Sequence, residues 1–417
     1  MVSMRSNRCV LSPSLFLTSD ESCWSVKFDT SAVRALYKAL PRHDSCRDQA
    51  RRYTGCRRSL DWMNEMAIAM TTKRMVWLLL LLAGCAELGD PTPLRTGAVQ
   101  NRSTQFNEKK IPVFEQLSQS RDSDVLRLVS YNVEKNSAFE PGDPQQQRFI
   151  RLVQALKADI YALQEVSSSP KKVIKWFNAN APLASGGSWF AYEAGSTMTV
   201  SRFPKIHHRP TTSPDSGRKV GLTSLDVPAS IWPRPLYVIN THLTCCGDGQ
   251  LERQRQADSI VAWIRRLRAG LGPVTLAATD PLVILGDLNL VGQTLPLETL
   301  LTGNIDDETY WGQDAAPDGD GSALADLAPT HNGDGLARWT WRNDSGSFAP
   351  GRLDYILISD SVLRSVSSAV LNTTSLSDEQ LTSLQLERLD VGKMRVKGGL
   401  SLDHLPLIAD LRWVQPK

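Results

Sequence analysis

Cysteine is scarce where a disulfide framework would need it. Of seven in 417 residues, Cys9, Cys23, Cys46 and Cys56 stand at irregular spacing near the start, and no two form a CxxC pair. This excludes a small metal or disulfide module built on that spacing. No apolar run approaches the ~20 residues needed to span a bilayer. Neither sign of charge dominates: 47 Lys and Arg face 44 Asp and Glu, for a net +3. The overall balance therefore does not carry the electrostatic footprint of a protein that binds nucleic acid without regard to sequence, and local basic patches stay open. Internal repeats are absent too, which excludes solenoids. Composition otherwise is ordinary for a globular chain, at 41% hydrophobic and 22% charged.

What is there begins at Met70. A short basic segment, Met70–Arg74, precedes the apolar run Met75–Ala83, which is closed by Gly84 and Cys85. Basic, apolar and small-residue segments in that order form a secretory signal. Leu82-Ala83-Gly84-Cys85 resembles the lipobox of bacterial lipoproteins, which implies cleavage before Cys85 and lipidation of its thiol. A core helix is the alternative reading of the apolar run. On the lipobox reading translation starts at Met70, and residues 1–69 are a non-native or disordered extension. Residues 1–84 carry 13 basic and 7 acidic residues, so the body that remains has a net charge of −3. Ala86 lacks the aspartate that retains lipoproteins in the inner membrane, so the expected location is the outer membrane, facing the periplasm or the surface.

Residues 85–123 are polar and rich in Pro and Gly, as suits a tether, and the folded domain is expected over 124–417. There, strand-like runs at 125–133, 159–166, 197–201, 219–227, 235–243, 281–289, 353–359 and 405–411 alternate with helical stretches at 144–157, 170–180 and 251–268. Strands with apolar interiors interrupted by helices predict two packed mixed β-sheets flanked by helices, a four-layer α/β/β/α sandwich.

Polar residues recur at the ends of these runs rather than in their middles: Asn132 and Glu134, Glu165, His242, Asp287 and Asn289, Asp354, then Asp403 and His404. Singly, each is more often a turn former than a site residue. Together they are the pattern of a site at one rim of a sheet. Asp287 and Asn289 are two apart, so on a continuing strand both would face the same way; an Asx turn is the alternative.

Six blocks then resemble the endonuclease/exonuclease/phosphatase superfamily and stand in its order: SYNVEKN (130–136), DIYALQEV (159–166), INTHL (239–243), LGDLNL (285–290), GRLDYILIS (351–359) and LDHLPL (402–407). The resemblance covers about Leu126 to Trp413. It implies a divalent-metal-dependent phosphoesterase, and a hard cation with oxygen ligands suits charge building up on phosphoryl oxygens. By resemblance, Glu165 is a ligand of Mg²⁺ or Mn²⁺, with Asn132 and Asp403 as ligands or orienting groups. Asp354 hydrogen-bonds His404 and favours its cation. Asp287 orients or activates the attacking water, Asn289 donates to a phosphoryl oxygen, and His242 contacts the phosphate or helps the leaving group.

The last block departs from the family's pattern, with Leu402 where a serine commonly precedes the aspartate. His207, His208 and His331 have no motif to support them. Cys245 and Cys246 directly follow the His242 block. A vicinal disulfide is one expectation, strained because adjacent Cα atoms sit closer than a disulfide prefers, and two small buried thiols are the other. Trp339, Trp341 and Phe348 are expected to pack under a loop more than to stack on a base, sugar or headgroup. The chain is thus expected to be a monomeric phosphodiesterase, nuclease or phosphatase acting on nucleic acid, phospholipid or a phosphorylated metabolite. The rival expectation is a surface binding protein that kept the fold and lost catalysis.

Overall fold

A computed structural model describes residues 111–135, 137–212, 218–333, 335–342, 348–391 and 402–416, all within one compact unit, Asn101–Lys417. The extension, the signal segment, Cys85 and most of the tether lie outside the described residues. Among the described residues no helix is long and apolar enough to cross a membrane.

Twelve strands form two six-stranded sheets among the described residues. The first sheet contains β1 (Val125–Asn132), β2 (Ile160–Gln164), β3 (Phe190–Ala194), β4 (Thr197–Ser201), β11 (Leu363–Val370) and β12 (Leu407–Trp413), in the order β11-β12-β1-β2-β4-β3. The second contains β5 (Lys205–Thr212), β6 (Lys219–Leu225), β7 (Leu236–His242), β8 (Leu282–Asp287), β9 (Ala325–Asp326) and β10 (Asp354–Ile358), in the order β5-β6-β7-β8-β10-β9. Each has one parallel pair at its centre, β1 with β2 and β7 with β8, and antiparallel neighbours elsewhere. The expected mixed, two-sheet sandwich is what forms.

Strand alternation sorts the side chains into layers. Leu236 and Val238 of β7, Val283 and Leu285 of β8, and Ile356 and Ile358 of β10 share one core with the first sheet. Their neighbours Tyr237, Ile239, Leu282, Ile284 and Leu357 face outward, onto Ile260, Ile264 and Leu267 of a long helix, Gln250–Arg268. On the outer face of the first sheet, Tyr131 meets Phe149 of the helix Pro144–Leu156, and Tyr161 meets Phe177 of the helix Pro170–Asn180. Both of these helices start where the sequence shows caps: Asp143 accepts from the Gln145 backbone N–H, and Ser169 from that of Lys172.

The structure differs from the sequence reading in three places. The helix Val113–Ser118 falls inside the expected tether, yet it buries Val113 and Leu117 and takes a backbone bond from Val113 to Asn332, so the folded body starts before Asp124. Strands β3, β5, β9 and β11 carry no signal strong enough to predict them. All but β11 are short or polar, and β3, β5, β9 and β11 are the outer strands of their sheets, where one side needs no apolar partner. Third, Cys245 and Cys246 are two free, exposed thiols, neither bridged nor buried. Adjacency explains the missing bridge, because a trans peptide holds neighbouring Cα atoms nearer than an unstrained disulfide allows.

At the rim away from the strand ends that carry the site, Arg127 is almost fully buried and forked onto Asp410, at 2.7 and 2.8 Å, and it also donates to the carbonyls of Leu156 and Gln116. One side chain thereby joins β1, β12 and two helices. Removing one partner leaves a buried charge without its counterion. Asp410→Ala is expected to cost about 3–5 kcal/mol in urea unfolding, whereas an apolar replacement of both partners should recover most of that loss.

Candidate active site

The polar rim lies where strand direction puts it. Both central parallel pairs end on the same side, and β10 begins there because it runs antiparallel to β8, with Asp354 opposite Asp287. In β7 the inner row reads Leu236, Val238, Asn240, His242. In β8 it reads Val283, Leu285, Asp287. Each row is apolar until its last position or two. Ligand sites form outside the carboxyl ends of parallel strands for this reason: the backbone leaves the sheet and the last side chains project free of the core.

Asp287 is the hub, 1% exposed. Its Oδ2 accepts from Asn132 Nδ2 at 3.1 Å and lies 3.6 Å from His242 Nε2 and 3.7 Å from His404 Nε2. His404 Nδ1 bonds Asp354 Oδ2 at 2.8 Å. The pairing of Asp354 with His404 implied by the sequence is therefore made. Asp287, Asp354 and His404 each offer an atom within 4.8 Å of the others. Because His404 Nδ1 is already committed to Asp354, this trio reads first as an imidazole clamped between carboxylates.

Burial disfavours the His404 cation, but the charges of Asp354 and Asp287 and the hydrogen bond it donates to Asp354 outweigh it and lift its pKa to about 10. His404 is thus an imidazolium at neutral pH. For His242 burial wins over the neighbouring carboxylates and lowers the pKa, so the ring is neutral. Burial also raises Asp287 above the ordinary aspartate value, against the pull of the His404 cation, making it a stronger proton acceptor.

Glu165 follows β2 with φ +59, a left-handed backbone that turns its carboxylate out of the sheet. One oxygen accepts from Asn132 Nδ2 at 3.1 Å and the other from the Lys135 backbone N–H at 3.0 Å. Burial raises its pKa, but these bonds and the His404 cation beyond them hold it below the usual glutamate range. Each carboxylate oxygen keeps a lone pair, so this half-exposed, ionised group fits a hard cation. Asn132 Nδ2 donates to Glu165 and Asp287, and its Oδ1 accepts from the Glu134 backbone N–H. Asp403 is held by the indole of Trp341, Nε1 to Oδ2 at 3.0 Å, which gives that tryptophan a task the sequence did not suggest. Trp339 packs on His331 at a 4.3 Å ring separation, and Phe348 is 69% exposed.

Asn289 does not continue the strand. With φ +49, its backbone N–H returns to Asp287 Oδ1 at 2.9 Å, an Asx turn, and its amide donates to the Leu243 carbonyl at 3.1 Å. The turn still delivers Asn289 to the rim, beside the loop that follows His242. Gly286 just before it has φ +140, and a Cβ there would sit 1.9 Å from the Thr241 carbonyl oxygen, so no other residue fits between β7 and β8. Beside the rim opens a cleft of about 620 Å³ lined by Lys135, Glu165, Ser167, Arg218, Lys219 and His242. Its three cations were not singled out from sequence, where single Lys and Arg residues look like ordinary solvated surface.

Carboxylates, an imidazolium and a neutral imidazole gather at this rim with a basic cleft beside them, which is the equipment of a hydrolytic site for an anionic ester. The profile of the Endonuclease/Exonuclease/phosphatase family matches residues 129–378, more than half of the chain, and the chain belongs to that family. Members of this family are phosphoester hydrolases. No curated protein sequence matches. Among solved structures, an endonuclease/exonuclease/phosphatase from Bacteroides vulgatus is similar at 14% identity and a TM-score of 0.45, covering 70% of this chain and 99% of that one. The human Nocturnin catalytic domain with bound sulfate is similar at 16% and 0.43, covering 73% and 100%. Truncated Caenorhabditis elegans TDP2 is similar at 16% and 0.42, covering 70% and 98%.

The His404 cation contributes stability that is complete below its ordinary value of 6.5 and is lost as pH rises through about 10. An NMR titration of the His404 ring should show a midpoint near 10. In Asp354→Asn the midpoint should fall, and the drop in melting temperature with rising pH should become shallower. A midpoint unchanged by Asp354→Asn would mean that this carboxylate does not set the charge.

Proposed function

We propose that the protein is a divalent-metal-dependent phosphoesterase, a phosphodiesterase, nuclease or phosphatase, that hydrolyses its substrate by in-line attack of water. The observation that carries this reading is Asp287, buried between the neutral His242 and the cationic His404 and fixed by Asn132. Asp287 accepts the proton of the attacking water, whose oxygen bonds to phosphorus as the ester P–O bond breaks. His404, held charged by Asp354, faces the developing negative charge on the phosphoryl group. His242 is placed to donate to the phosphate or to the departing oxygen. Asn289, tethered by its Asx turn, has an amide proton left for a phosphoryl oxygen.

Glu165 and Asp403 would hold Mg²⁺ or Mn²⁺, which would supply positive charge to the phosphoryl oxygens. Lys135, Arg218 and Lys219 give the adjoining cleft its affinity for an anionic substrate: nucleic acid, phospholipid or a phosphorylated metabolite. The binding-protein reading is disfavoured because every residue the chemistry needs is present.

Purified full-length protein is expected to hydrolyse bis(p-nitrophenyl) phosphate or p-nitrophenyl phosphate with Mg²⁺ or Mn²⁺ and to stop with EDTA. His404→Ala should lose about 10²–10⁴-fold in kcat, the range associated with a positioned acid or base. Turnover indifferent to both EDTA and His404→Ala would sink the mechanism. Anchoring outside the cytoplasm through lipidated Cys85, as a monomer on the outer membrane, is the second part of the proposal. Labelled palmitate is expected to be incorporated by the wild type and lost in Cys85→Ser, and an unlabelled, cytosolic wild type would refute it.

A further inference from the structure

One step below the site, two fully buried amides bridge the sheets. Gln164, the last residue of β2, donates from Nε2 to Asn240 Oδ1 at 2.9 Å, and to the Ala162 carbonyl at 3.0 Å. Asn240 of β7 donates back to the Leu163 carbonyl at 3.3 Å. Both residues are 0% exposed, in rows that are otherwise apolar next to them: Ile160 and Ala162 below Gln164, Leu236 and Val238 below Asn240. An apolar pair would fill this space without the desolvation cost of two amides, so stability alone does not account for them.

Their neighbours do. Gln164 is bonded in sequence to Glu165, and Asn240 shares its strand face with His242, two residues on. Gln164 also stands opposite Asn132 in the β1–β2 register. Apolar side chains pack with little directional preference, so they would let one sheet slide on the other by a fraction of an ångström. A pair of hydrogen bonds from amide groups, each with a preferred length and angle, resists that slide.

We propose that Gln164 and Asn240 are positioning residues, an inter-sheet clasp that sets the separation of Glu165 and Asn132 on one sheet from His242 and Asp287 on the other. The clasp rests on the hydrolase reading above, since it matters only if those four groups act together.

The test compares Gln164→Met, Asn240→Leu and the double variant in the full-length protein, reading melting temperature, kcat on the better of the two nitrophenyl esters, and Mn²⁺ affinity by calorimetry. Each single variant strands one buried amide and should lower both melting temperature and kcat. The double variant should regain the melting temperature while kcat stays down by about 10- to 100-fold and Mn²⁺ binds more weakly, as when the partners of metal ligands are lost. The reciprocal exchange, Gln164→Asn with Asn240→Gln, keeps an amide–amide hydrogen bond across the gap and should recover turnover above the apolar pair; it carries the same reading if the apolar pair does not fold. Recovery of kcat and Mn²⁺ affinity together with melting temperature in the apolar pair would overturn the clasp and leave the hydrolase reading standing. A wild type that neither turns over an ester nor binds Mn²⁺ would overturn the hydrolase reading, and the clasp with it.

Discussion

Face-to-face contact between the two sheets is the constraint on which everything else depends. Neither sheet holds a complete site: Asn132, Glu165 and His404 lie on or beside strands of the first, and His242, Asp287 and Asp354 on the second. Only when the inner rows pack does Asn132 reach Asp287, and only then does His404 lie between Asp354 and Asp287. The apolar stretch of each row drives the packing, since burying such surface is the main favourable term in folding. The polar ends of the same rows then meet at an edge where the core gives out.

That shared origin explains why the electrostatics are so uneven over a few ångströms. His242 and His404 lie at similar distances from Asp287, yet burial lowers the first and the carboxylates raise the second. The difference is Asp354, which bonds His404 directly, whereas among the described residues His242 Nδ1 has no hydrogen-bond partner. Two rings of the same type are thereby set to different protonation states, which is how acid and base roles are divided within one site.

Much of the fold could be read from the sequence because its central strands are long apolar runs: β1, β2, β4, β7, β8 and β10 all fall within the predicted segments. The outer strands escaped notice, since a strand such as Lys205–Thr212 need not be apolar on its free side. The site was visible for a different reason. A polar residue closing an apolar run is cheap to see, and its repetition in order identifies the family. Gln164 and Asn240 were passed over because each sits inside such a run, where a buried amide looks like an exception to the pattern and its partner is on another sheet.

The sequence by itself thus determined which residues stand at strand ends, which alternate toward the core, and which family the order of the blocks belongs to, because these depend on local periodicity and chain order. Tertiary structure alone decided how those ends meet. It joined Asn132 to Glu165 and Asp287, tied the Asn289 amide to the Leu243 carbonyl, left Cys245 and Cys246 open to solvent, and bound Asp403 to the Trp341 indole. Each of these bonds joins residues far apart in the chain, and hydrogen bonds and charge shifts act through space over a few ångströms, whatever the sequence separation.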